Sequence, residues 1–145
     1  MSKRHPEFFI IDILVAIDKI KRYHSEFKDA QNFYHDDKSF DATMRELQII
    51  GEATKHLIQA ELLDRNYRII VDFRNMIVHE YFGIDAEEIW NILQDELPDF
   101  EQNIFLLFSQ SNQETLHHIL HDATHYYHGK TLEFIQTLNK NLSTH

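Results

Sequence analysis

Apolar residues recur three and four positions apart along almost the whole chain, and only three glycines and two prolines in 145 residues interrupt them. A helix brings side chains back to one face every 3.6 residues and a strand every two, so this spacing selects helices. Turn-rich sheet proteins use far more glycine and proline at their reversals, which argues the same way. The chain is expected to be all-α. Ile10, Ile13, Leu14, Ile17 and Ile20 make a first stripe, opened by Pro6 in a first-turn position and running to about Phe27. Met44, Leu47, Ile50, Gly51, Leu57 and Ile58 make a second, capped by Ser39 or Asp41 and ending near Leu63. Gly51 inside that pattern points to close approach of a neighbouring helix. The connection between the two, Lys28 to Lys38, reads as a polar loop pinned by Phe33 and Tyr34. A third helix is expected from about Tyr67 to Phe82, closed by Gly83. A fourth opens at Asp85, with Glu88 at capping-box spacing, and carries Ile89, Trp90, Leu93, Leu97, Phe100, Ile104 and Leu107. Pro98 should kink it or start a new segment at about residues 95–97.

Four such stripes predict an up-and-down four-helix bundle over residues 1–110. After a change of composition at residues 109–112, residues 111–145 read as a helical, histidine-rich extension. Ser111 and Glu114 stand at capping-box spacing there. Leu116, Ile119, Leu120, Ala123 and Tyr127 share a face until Gly129, and Leu132, Ile135, Leu138 and Leu142 line a last helix. A hydrophobic share of 43% is enough for a packed core. The absence of cysteine rules out disulfides and thiolate metal sites and fits a reducing cytoplasm. The longest apolar runs, residues 13–17 and 104–108, are too short to cross a bilayer, and no segment reads as a signal peptide. A soluble, cytoplasmic protein is expected.

The segment Val71 to Gly83, VDFRNMIVHEYFG, carries the chemistry. Phe73, Ile77 and Tyr81 fall four apart on one face, while Arg74, Asn75 and His79 interrupt the apolar run. On a helix Asn75 and His79 share a face, and Arg74 and Tyr81 lie nearly in line. By spacing alone these polar residues are either the solvent side of an amphipathic helix or a site. As a site they suit phosphodiester cleavage without metal: a guanidinium grips phosphate in a bidentate fork, and imidazole exchanges protons near neutral pH. Against that stands a formal charge of −10, unlike the basic surface of a general nucleic-acid binder. Lys19, Lys21, Arg22 and Lys28 cluster around the end of the first helix, and Arg65, Arg68 and Arg74 approach the motif. A local basic cleft on an acidic body would reconcile the two.

Arg74, four residues, His79, one residue and Tyr81 match the R-x4-H-x-Y signature of HEPN-domain ribonucleases, with the polar Asn75 after the arginine. The chain looks most like the HepT branch, the toxin half of toxin–antitoxin pairs. RELQIIGEATKHL at Arg45 to Leu57, FRNMIVHEYFGID at Phe73 to Asp85 and IWNILQDELPDF at Ile89 to Phe100 follow in the same order. Asp64 to Ile70, DRNYRII, stands where that branch often carries an Ile-Pro-Trp-like stretch. The resemblance implies a HEPN-like bundle and a metal-independent endoribonuclease needing no cofactor. It implies a homodimer whose two arginines and histidines line one cleft. His79 would take the proton of a ribose 2′-hydroxyl, Arg74 would hold the phosphate, and Asn75 would orient the histidine or bind phosphate. RNA would be cut and DNA left inert. Tyr81 would be where an MNT-type nucleotidyltransferase antitoxin attaches AMP; its bland alternative is a ring in the core. A competing reading makes the chain a catalytically silent helical module that only pairs with a nucleotidyltransferase.

Five of the 11 histidines lie between His117 and His128. His117, His121 and His125, with His128, would project from one side of a helix, and an i, i+4 pair can hold a transition metal. The ligand set is poor beyond Asp122, so a polar face that gains charge as pH falls is the simpler reading, and no metal site is assigned.

Overall fold

The computed structural model describes residues 5–80 and 85–142, the side chains of 77–80 excepted. Among these residues every regular element is a helix. Helix α1, Pro6–His24, starts with its proline where a missing N–H costs nothing. It buries Ile10, Ile11, Ile13, Leu14, Val15, Ala16, Ile17 and Ile20, more than one stripe can hold. The reason is its position: α1 packs against the helices introduced below as α3, α6, α7 and α8. A helix that is apolar on most sides belongs in the middle.

The stretch expected to be a polar loop contains a helix, α2, Ala30–His35, capped by the Asp29 carboxylate on Asn32 N. Phe33 is fully buried, with its ring 5.6 Å from Phe27, 5.6 Å from Phe40 and 5.7 Å from Trp90. It pins the segment as expected, and one aromatic of that size is enough to hold a six-residue helix that could not stand alone. Helix α3, Asp37–Gln59, is capped by Asp36, whose carboxylate accepts from Ser39 N at 2.9 Å; neither Ser39 nor Asp41 is the cap.

The end of α3 is a Schellman turn. Leu62 N donates to Leu57 O at 3.0 Å and Glu61 N to Ile58 O at 3.0 Å. Glu61 holds the left-handed position between them, with φ 61°, where glycine is the usual residue. Asp64 then caps a 3₁₀ turn, Arg65–Tyr67, which sets the Tyr67 ring 5.6 Å from Phe100 and launches α4, Arg68–Glu80. Helix α5, Ala86–Asn91, is capped by Asp85 as expected, through Glu87 N at 2.9 Å. A π turn, Ile92–Glu96, leads into α6, Leu97–Gln110, with Pro98 in its first turn, so the proline starts a new segment at the anticipated place.

Helix α7, Gln113–Ala123, is capped by Asn112 rather than Ser111, and α8 is Gly129–Lys140. These two pack on each other and on α1, and Leu116, Ile119, Leu120, Ala123, Ile135, Leu138 and Leu142 join the same core cluster as the bundle. Among the described residues no helix is long and apolar enough to cross a membrane.

The left-handed glutamate at the end of α3 is strained, and a glycine there should raise stability. Glu61→Gly is expected to add ~0.5–1 kcal/mol, the gain in the folded turn being partly offset by a freer unfolded chain. Urea unfolding of the two proteins checks it; an unchanged or lowered midpoint counts against strain at this turn.

Candidate active site

Helix α4 is an edge helix. It packs chiefly on α3, and none of its side chains from Arg68 to Met76 is fully buried. What fixes it is Gly51. A Cβ on that glycine would stand well inside van der Waals distance of Arg74 Cβ and 2.6 Å from Arg74 Cγ, with Ile70 O at 3.4 Å. The two helices approach closely because Gly51 has no side chain to hold the Arg74 stem away, the close approach that Gly51 was expected to serve.

The stem of Arg74 thus lies across α3, and its head group is held at the edge of the contact. Nη1 donates to Asn75 Oδ1 at 3.0 Å, and Nη2 lies 3.7 Å from Glu52 Oε2. Nε is buried without a hydrogen-bond partner among the described residues. The other oxygen of Glu52 lies 3.6 Å from His56 Nε2, one turn along α3, and the His56 ring stacks on Phe9 at 4.3 Å with 9° between planes. A guanidinium and an imidazole therefore share one carboxylate. Neither Glu52 nor His56 stands out from the sequence as a candidate. The signal available was their i, i+4 spacing, beside a glycine that marked a helix contact.

Arg74 and Asn75 are joined to each other by the Nη1–Oδ1 hydrogen bond. His79 is on α4, one turn and a residue beyond Arg74, but its side chain lies outside the described residues, as do Tyr81 and Gly83 entirely. Three of the four cations clustered around the end of α1 are paired rather than free to line a cleft. Lys21 Nζ bonds Glu101 at 2.5 Å, Arg22 bonds Asp18 at 3.1 Å and Thr131 Oγ1 at 2.9 Å, and Lys19 lies 4.0 Å from Glu46. These cations hold helices together. Glu46 is 4% exposed, and burial pushes its carboxyl up despite Lys19. It therefore favours folding in its protonated form, a contribution lost as pH rises through the folded value. His24, edge-on to Trp90 at 6.1 Å, is pushed down by burial, so the stability it gives is lost as pH falls.

Two cavities flank α3. One, of about 890 Å³, is lined by Pro6, Phe9, Asp12, Glu52, His56 and Gln59 among others. The other, of about 470 Å³, opens between α4 and the α5–α6 arm. Its floor is Leu47, Ile50, Ile70, Phe73 and Phe100, and its rim carries Asp85, Glu87, Glu88, Asp95 and Glu96.

In the tail, α7 ends at Ala123, so His125 and His128 leave the helical face on which they were expected. His117 Nδ1 is 2.9 Å from Asn139 Oδ1, and the His121 ring lies 6.5 Å from that of His117 and 5.6 Å from that of His125. No group of three or more histidine, aspartate or glutamate side chains suited to a metal ion is found among the described residues.

The described residues thus form an all-α helical bundle in which Arg74 is held against Gly51 of the preceding helix. The particular family follows from comparison: residues 13–105 match the Ribonuclease HepT-like family, and the chain belongs to it. The "Probable ribonuclease HepT" of Thermococcus cleftensis is 30% identical over 107 residues, 68% of this chain and 92% of that one. A "Putative RNase" of Methanocaldococcus jannaschii is 28% identical over 107 residues, 72% of this chain and 97% of that one. No solved structure matches the chain. The α7–α8 pair lies beyond the matched region.

If the Gly51 contact holds the site, Gly51→Ala must push α4 off α3, because the clash is with the Arg74 stem and not with a flexible tip. The expected cost is ~1–3 kcal/mol of stability, where alanine in an ordinary helix interior would add stability. Thermal melts decide the sign; a variant as stable as the parent or more so would mean the helices are not in such contact.

Proposed function

We propose that this chain is a metal-independent endoribonuclease, the toxin of a toxin–antitoxin pair, acting as a homodimer and silenced by AMP attached to Tyr81. The observation that carries the reading is the placement of Arg74. A guanidinium whose stem is packed against Gly51 and whose fork is met by Asn75 and Glu52 is ordered before any ligand arrives, within a chain of the HepT-like family. Preordering of this kind lets binding energy go to the phosphate and to charge growing on its oxygens. His79, on the same helix, takes the 2′-hydroxyl proton; a neutral imidazole is suited to that near pH 7. The attacking group is the 2′-hydroxyl, so DNA is not cut. A second protomer is supported by α4 itself. Ile69 is 72% exposed on a helix whose chief neighbour among the described residues is α3, and a second copy would both cover that face and double the cationic groups at the cleft.

The silent-module reading draws on one observation, the acidic rim and apolar floor of the groove between α4 and the α5–α6 arm, which suits a basic partner better than RNA. One experiment separates the two. Arg74→Ala and His79→Ala are each expected to lower cleavage of a single-stranded RNA by ~100-fold or more, with helicity nearly unchanged. Variants that cut as the parent does, or a parent that cuts nothing, leave the module reading.

The AMP switch has its own test. An added phosphodiester brings a charge of about −1 beside a site that must attract phosphate, and like charges repel strongly where water is partly excluded. Co-production with the cognate nucleotidyltransferase should give a chain heavier by one or more AMP units and inactive on RNA. Tyr81→Phe should stay active and gain no mass. Intact-mass spectra check both, and a Tyr81→Phe protein that still gains AMP removes Tyr81 from the switch.

A further inference from the structure

Arg74, Asn75 and Glu52 are not among the residues that line the groove between α4 and the α5–α6 arm. At about 470 Å³ the groove has the size of a ligand pocket rather than of a packing defect. We propose that it is a docking site for a basic amphipathic helix of another protein, whose apolar side chains enter the groove and whose cations reach the carboxylates of the arm. The proposal goes beyond the ribonuclease reading and holds for a cleaving chain as for a silent one.

Floor and rim call for different chemistry in one ligand. Leu47, Ile50, Ile70, Phe73, Leu97 and Phe100 form the floor, and Ile69, 72% exposed, carries it out over the lip. Apolar surface gathered in this way is stabilised by whatever covers it. Charge decides what that is. Glu87 and Glu88 stand exposed on α5, and Asp95 and Glu96 stand exposed on the π turn that follows. Among the described residues none of these four is paired with a cation. Such a rim repels a phosphate strand and attracts lysine or arginine. The second pair follows the first after eight positions, about 12 Å along the arm at the helical rise. A single ammonium answers one pair only, whereas cations about two helical turns apart answer both. The π turn that presents the second pair is also a departure from regular helix of the kind frequent at functional sites.

The surroundings of the groove select a helix as the occupant. An added strand needs an open sheet edge, and every regular element among the described residues is a helix. Helical walls with an apolar floor between them receive instead the i, i+3, i+4 and i+7 side chains of a further helix. Seven or eight positions is also the interval at which that helix brings its lysines back over the same rim.

The probe is a synthetic amphipathic helix with leucines on one face and lysine pairs about two turns apart, read by fluorescence anisotropy against the full chain with no RNA present. The parent is expected to bind it, and more weakly as salt rises. Glu88→Lys and Glu96→Lys, exposed at opposite ends of the rim, should each weaken binding about tenfold. Ile69→Ser, on the lip, should weaken it as well. A probe with serine in place of leucine, and spermine, should each bind about tenfold more weakly than the probe itself. A parent that ignores the probe overturns the proposal. So does one that takes spermine or the serine probe equally well, since the rim would then be a general sink for cations. Rim variants that bind as the parent does place the probe elsewhere and count the same way. A parent dimer, seen by light scattering, that either rim variant splits would give the groove to a second copy instead. RNA cleavage by the same preparations is scored separately, so a chain that cuts nothing can still dock the probe.

Discussion

The contact between Gly51 and the stem of Arg74 is the constraint on which the rest of the site depends. Arginine has ~2 kcal/mol of side-chain rotamer entropy to lose on ordering. Here the Cβ–Cγ stem is ordered by folding, because α3 and α4 cannot meet any other way. The head group is met in turn by Asn75 and Glu52. The same contact helps position the helix that carries His79, whose chief neighbour among the described residues is α3. A single missing methyl on α3 thus sets both the reach of the arginine and the height of its helix.

Charge is arranged around this contact in an unusual way for a chain that would handle RNA. The lysines and arginine near the end of α1 are neutralised by Glu101, Asp18 and Glu46. Five carboxylates rim the groove on the other side of α4. Long-range attraction for a polyanion is accordingly weak, and any affinity for one would have to come from contacts at short range, such as an arginine fork on phosphate. Such a protein would be expected to ignore most nucleic acid that it meets.

Much of this was legible in the sequence. The apolar stripes gave the helical class and most boundaries, since a 3.6-residue period survives even where caps are misread. Pro98 marked the start of α6, and Gly51 marked a helix contact. Caps were harder to place, with Asp36 and Asn112 serving where Ser39 or Asp41 and Ser111 were expected, because several polar residues in a row can each accept from the first turn. Helix α2 was missed because six residues are too few for a periodic signal, and its stability comes from Phe33 finding Phe27, Phe40 and Trp90. The surroundings of His56 were hidden for a related reason: Phe9, on which its ring stacks, is far away in sequence, and only packing brings the two together. The helical reading of His125 failed because α7 stops at Ala123, and a shared face exists only as long as the helix does.

The walls around α1 have a consequence for how the molecule comes into being. Its side chains from Ile10 to Ile20 are shut in by α3 and α6, but also by α7 and α8, whose buried residues run from Leu116 to Leu142. On the ribosome the earlier walls are available long before the later ones. Until residues 113–140 emerge, α1 presents an oily side to every other chain in the cell. Contacts that join such distant parts of a sequence also form late and slowly. The interval before the final hairpin of helices swings over α1 is when this chain is most exposed to clumping, and most in need of a chaperone.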